Sequence, residues 1–212
     1  MFKYLALSVF TLTLTACGGL EISEDRPTSG NIVFLGDSLT EGYQVEADEN
    51  FPSLIQNKLR GDRFDQYEVL NLGVSGDKTA EALKRLESVL EAEPEIVVLA
   101  LGGNDFLKST SLLRVEENLK LIIEPLLAQD IEVVLIGVVA PPFKGFAYTR
   151  EVKKMYQGLA DDYNLAFVPN ILKGLILDQR YMQPDNVHPT PAGYGLIADS
   201  VWEVLRPLLR TN

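Results

Sequence analysis

The chain has 212 residues, is 46% hydrophobic and 23% charged, and carries a formal net charge of −11, an ordinary composition with length enough for one sizeable core. The acidic balance counts against nucleic acid as a partner and against electrostatic docking on anionic lipid. A single Cys and a single His exclude an intramolecular disulfide and a zinc site built from His and Cys ligands, and they leave His188 as the sole source of an imidazole.

Residues 1–16 carry Lys3, an apolar stretch from Tyr4 to Leu14, and then small residues. This is the layout of a secretory signal, too short to span a bilayer as a permanent helix. Leu14-Thr15-Ala16-Cys17 resembles the bacterial lipobox, whose cysteine is lipidated and becomes the mature N-terminus; a plain signal peptide with an incidental Cys is the alternative. Gly18, not Asp, follows the cysteine, which in Gram-negative lipoproteins implies sorting to the outer membrane. Residues 17–30 are polar and turn-rich after the cysteine and read as a flexible tether with a reach of roughly 20 Å. The expectation is an exported protein on the periplasmic side of that membrane, touching it through the lipid on Cys17 alone.

From Asn31 to the end, short apolar runs alternate with helical patterns. The runs predict strands over 32–35, 67–71, 96–101, 132–138 and 165–168. Phe51, Leu54, Ile55 and Leu59 share one helical face. Leu83, Leu86 and Leu90 share another, with Pro94 as the stop. Leu119, Ile122, Ile123, Leu126 and Leu127 form a third stripe, which Pro125 should kink or shorten. A fourth helix is expected over about 149–162. Thr190-Pro191 reads as an N-cap and first helical residue, with Ile197, Val201, Leu205 and Leu208 on the buried face. The β-α-β-α order predicts an α/β fold: a flavodoxin-like three-layer α/β/α sandwich around a five-stranded parallel sheet. Residues 31–212 form its single domain.

Right-handed crossovers gather the strand-to-helix loops along one sheet edge. Gly36-Asp37-Ser38-Leu39-Thr40 follows the first strand, Gly73-Val74-Ser75-Gly76-Asp77 the second, and Gly102-Gly103-Asn104-Asp105 the third. Asp185-Asn186-Val187-His188-Pro189 precedes the last helix. Each admits a plain structural role. Ser38 can cap a helix; Asp37 and Asp77 can cap or brace turns; Asp105 can N-cap the helical turn after it; Gly73 and Gly103 can supply positive φ. Asp185, three residues before His188, can reach the imidazole, fix its tautomer and leave the other nitrogen facing a hydroxyl.

Taken together, the four stretches resemble the SGNH hydrolases, also called GDSL esterases and lipases, over the whole of 31–212. Gly36-Asp37-Ser38-Leu39, Gly76, Gly102-Gly103-Asn104-Asp105 and Asp185 to Pro189 stand in the family's order. The likeness is to its small bacterial periplasmic members with thioesterase, arylesterase and lysophospholipase activities. It implies Ser38 as nucleophile, His188 as general base and then acid, and Asp185 as the orienting carboxylate. It also implies an oxyanion hole from the Ser38 and Gly76 N–H groups and the Asn104 amide, with no cofactor or metal. The substrate would be a small-molecule or lipid ester, and the protein is expected to act as a monomer. Phe106, Leu107 and the run 139–146 can wall an acyl pocket or pack beneath the loops. Two other readings use the same residues: a carbohydrate O-deacetylase with this triad, and a non-catalytic flavodoxin-like lipoprotein cradling phosphate near Ser38 and Thr40. The second leaves Asn104, Asp185 and His188 without a role.

Overall fold

Five apolar runs lie side by side as one sheet in the computed structural model, which describes residues 30–176 and 178–211. The expected signal segment, Cys17 and the tether up to residue 29 lie outside the described residues. The strands are β1 (Gly30–Gly36), β2 (Tyr67–Gly73), β3 (Pro94–Ala100), β4 (Glu132–Ile136) and β5 (Ala166–Val168). Their spatial order is β2-β1-β3-β4-β5, and every neighbouring pair is parallel. The central strands read as unbroken apolar runs because both faces are covered. Val33, Leu35, Val97 and Leu99 enter one core, and Ile32, Phe34, Ile96 and Val98 enter the other.

Eight α-helices are present among the described residues: α1 (Ser38–Glu41), α2 (Phe51–Gly61), α3 (Thr79–Lys84), α4 (Leu86–Leu90), α5 (Gly103–Leu107), α6 (Leu112–Leu127), α7 (Gly145–Asp162) and α8 (Pro191–Leu205). α3, α4, α6 and α7 cover the first core, while α2 and α8 cover the second. The result is the expected three-layer α/β/α arrangement. Thr190 caps α8 by accepting the Gly193 N–H at 3.3 Å, with Pro191 at the first position. Asn50 caps α2 in the same way, through the Ser53 N–H at 2.9 Å.

Several boundaries depart from the sequence pattern. The stripe Leu83, Leu86, Leu90 is not one helix: Arg85 breaks it into α3 and α4. Pro94 does not stop that helix, which ends at Leu90; it opens β3. α6 begins at Leu112, capped by Ser111, well before the stripe that starts at Leu119. It runs through Pro125 and stops two residues later. The ring costs the Leu121 carbonyl its helical donor, on a residue that is half exposed, where water can replace it. α7 starts at Gly145, four residues ahead of the expected 149.

The chain leaves β1 for β2 on one side and returns to β3 on the other. The crevice between the carboxyl ends of β1 and β3 is therefore the switch point where an open parallel sheet accepts a ligand.

Candidate active site

Ser38 follows the end of β1 after one intervening residue and opens the single turn α1. Asp37 is the N-cap, its Oδ1 accepting the Leu39 N–H at 3.0 Å, so the backbone on both sides of Ser38 is fixed. The loop holding His188 lies far away in sequence and is pinned separately. Met182 and Pro189 form an isolated antiparallel bridge, the Gln183 N–H donates to the His188 carbonyl at 2.8 Å, and the Asn186 N–H donates back to Gln183 at 2.9 Å. Gln183 Nε2 ties this loop to α1's end through the Tyr43 carbonyl at 2.9 Å.

These constraints set three side chains in line. His188 Nε2 lies 2.9 Å from Ser38 Oγ, and His188 Nδ1 lies 2.7 Å from Asp185 Oδ2. The carboxylate assigns the proton to Nδ1 and leaves the Nε2 lone pair facing the hydroxyl. Asp185 Oδ1 accepts the Val187 and His188 N–H groups at 2.9 and 3.0 Å. Burial works to raise the Asp185 carboxyl, but the His188 side chain and these N–H donors outweigh it and hold it below the usual carboxylate range. The Tyr43 ring lies against the imidazole at 4.4 Å between centroids. Such a chain can move a proton from hydroxyl to imidazole while the carboxylate balances the charge.

The remaining expected residues come to the same place. Gly76 has φ +87° and open space where a Cβ would stand, so its backbone is reachable from the crevice. Among the described residues, the Ser38 and Gly76 N–H groups donate to no protein acceptor. Asn104 is already engaged: its Nδ2 donates to the Asp77 carbonyl at 3.0 Å and to Asp37 Oδ2 at 3.3 Å. Both amide hydrogens thus face protein acceptors, and donation to an oxyanion requires one to be shared. The longer bond, to Asp37, is the weaker of the two.

Three positions take roles other than those expected, and Phe106 takes the second of its two. Asp105 does not cap its own helix. It is buried in α5 and accepts the Thr79 N–H and hydroxyl at 2.8 and 3.1 Å, fastening the start of α3. Gly73 is a glycine for space, because a Cβ there would collide with the Glu41 backbone. The positive φ in the third loop belongs to Gly102, at +122°, and not to Gly103. Phe106 is fully buried and packs under the loop.

Arg85 has a role that the sequence pattern hides. Its Nε meets Asp77 Oδ2 at 2.9 Å, and its two terminal nitrogens reach the Leu72 and Gly36 carbonyls at 2.7 and 3.1 Å. One guanidinium therefore joins the ends of β1 and β2 to the loop that carries Gly76. Glu41 fastens the same loop from the other side through the Ser75 N–H, at 2.9 Å, and hydroxyl. A lone arginine on a helical stripe carries no periodic signal, so nothing in the residue order singles it out.

A cavity of about 240 Å³ opens beside Ser38 and Asn104. Leu107, Val139, Ala140, Pro141 and Phe143 wall it, in line with the sequence expectation, and Leu172, Ile176 and Val187 complete it. Phe146 is 97% exposed and does not line it.

Asp37, 4% exposed, is pushed up from 3.8 to about 6, chiefly by burial. The folded protein thus holds this proton where the unfolded chain has lost it. Its contribution is favourable at low pH and disappears as pH rises from 3.8 to about 6; at about 1.4 kcal/mol per pH unit the span corresponds to about 3 kcal/mol. Urea unfolding at pH 4 and pH 7 should therefore show Asp37→Asn gaining relative to the parent at the higher pH by an amount of that order. A difference between the two proteins that is the same at both pH values would contradict the assignment.

Known proteins resemble this chain over most of its length. Residues 34–196 match the profile of the GDSL-like lipase/acylhydrolase family. The chain is 31% identical to esterase TesA of Pseudomonas aeruginosa, over 93% of this chain and 98% of that protein. It is 30% identical to thioesterase 1/protease 1/lysophospholipase L1 of Escherichia coli K12, over 84% of each. A crystal structure of a protein named TesA superposes with a TM-score of 0.81 at 32% identity, covering 84% of this chain and 99% of that one.

Proposed function

The chain belongs to the GDSL-like lipase/acylhydrolase family and is a serine hydrolase of carboxylic esters or thioesters, and within that class we propose that it works through an acyl-enzyme on Ser38. The observation that carries this reading is the continuous line Asp185–His188–Ser38, with contacts of 2.7 and 2.9 Å. Ser38 Oγ attacks the acyl carbon as His188 Nε2 takes its proton. The carbonyl oxygen becomes an oxyanion, held by the Ser38 and Gly76 N–H groups and by a hydrogen of Asn104 shared away from Asp37. Such a donor is worth ~10²–10³ in turnover. His188 then returns the proton to the departing alcohol or thiol, and the bond to that group breaks. Water repeats the sequence on the acyl-enzyme, releasing the acid and restoring the Ser38 hydroxyl.

The wall of Leu107, Val139, Pro141, Phe143, Leu172 and Ile176 suits an apolar acyl chain longer than acetyl. A panel of p-nitrophenyl esters from acetate to decanoate tests this directly. The specificity constant kcat/KM should rise from acetate to the middle of the series, by about fourfold for each methylene buried. Turnover confined to acetate would instead favour the carbohydrate O-deacetylase.

A further inference from the structure

The apolar wall does not end at the cavity. Leu107, Ile176 and Val187 are each more than 40% exposed, Phe143 is 74% exposed and Phe146 is 97% exposed. A soluble protein seldom leaves so many large apolar side chains together without a use for them. Their neighbours are as unusual as their exposure. Leu107 is followed by Lys108, Phe143 by Lys144 and Leu172 by Lys173. Across residues 106–110, 138–150 and 169–176 there are four basic side chains and no acidic one, in a chain with 30 acidic residues. Arg150 pairs with Glu151. Lys108, Lys144 and Lys173 make no ion pair among the described residues; Lys144 donates to the Ser109 hydroxyl at 2.6 Å and lies over the Phe143 and Tyr148 rings. Asp37 lines the cavity but is only 4% exposed, and the other acidic side chains of the site are engaged: Asp185 on His188, Asp77 on Arg85, Glu41 on Ser75, and Asp178 on Arg180.

We propose that this rim is a membrane-docking face: Phe143 and Phe146 enter the surface of an anionic phospholipid layer while the three lysines meet its phosphates, setting the cavity mouth on the lipid. The inference rests on the hydrolase reading and narrows its substrate to lipid esters presented at such a surface. Apolar insertion with cations at headgroup level is the physics of an interfacial anchor. The net charge of −11 repels an average face of this protein from anionic lipid, so the local reversal of sign at the mouth selects the orientation. Membrane contact then extends beyond an N-terminal lipid anchor.

The full chain is compared with Phe146→Ser and with the double variant Lys108→Glu/Lys173→Glu, none of these residues lining the cavity. Each is sedimented with vesicles of dioleoylphosphatidylglycerol or dioleoylphosphatidylcholine, and assayed on p-nitrophenyl acetate in solution and on lysophosphatidylglycerol carried by the anionic vesicles. Every arm carries Cys17→Ser, which removes the residue expected to bear a lipid anchor, so vesicle binding reports on the rim. The parent should prefer the anionic vesicles. The double variant should bind them at least roughly tenfold less and lose vesicle-borne hydrolysis in proportion, and Phe146→Ser should lose binding to both lipids. All three should hydrolyse p-nitrophenyl acetate alike. Equal binding by parent and variants, or equal binding to both lipids, would overturn the proposal. A parent that prefers the anionic vesicles but fails on the soluble ester would uphold the surface and sink the hydrolase reading instead.

Discussion

Ser38→Ala is expected to lower kcat on every ester and thioester substrate by ~10⁴-fold or more, with the fold intact. The magnitude comes from the chemistry: without Oγ no acyl-enzyme forms, and the residual rate is whatever binding and the oxyanion donors provide. The fold should survive because Ser38 is only half-buried and, among the described residues, its side chain bonds to His188 alone, whereas the turn is held by Asp37 and the Leu39 N–H. Circular dichroism and the urea midpoint should match the parent within about 1 kcal/mol, as for a small surface change. A purified variant that keeps a tenth of the parent's kcat would place the nucleophile elsewhere.

His188→Ala should be nearly as damaging. Positioned proton transfer alone contributes ~10²–10⁴, and base and nucleophile act as one unit, so the Ser38→Ala/His188→Ala double variant should be no slower than Ser38→Ala. His188 is the chain's only histidine, so no second imidazole can substitute. The remaining activity of His188→Ala should rise with hydroxide concentration, because solvent then has to remove the Ser38 proton. A single-variant rate within tenfold of the parent, or losses that multiply in the double variant, would contradict the coupling.

Much of this site can be read from residue types because the parallel sheet does the assembling. Ser38 and His188 are 150 positions apart, yet both lie in loops on the carboxyl edge of the strands, where the contact of 2.9 Å is made. The five strands are legible since runs such as Ile32 to Leu35 are buried on both faces and carry no competing helical period. Their ends are less so: Gly30, Asn31 and Pro94 extend β1 and β3 by backbone pairing, to which side-chain character gives no clue. Arg85 breaks an apolar stripe by turning its guanidinium toward three distant oxygens, a tertiary event without local trace. Leu172 and Ile176 sit in an irregular segment after β5, where neither a period of two nor one of 3.6 residues points to the cavity they line. The engagement of both Asn104 hydrogens depends on distances between loops, not on letters.

The central claim is that one hydroxyl, Ser38 Oγ, forms the covalent intermediate and that His188 activates it. Incubation with an alkyl phosphonate ester carrying a good leaving group, with peptide mass spectrometry as the readout, tests both halves at once. The expected result is one phosphonyl group per chain on the peptide containing Ser38, with labelling slowed by ~10²-fold or more in His188→Ala. A phosphonyl group on another residue, such as Ser75, or equal labelling rates in the two proteins, would contradict it.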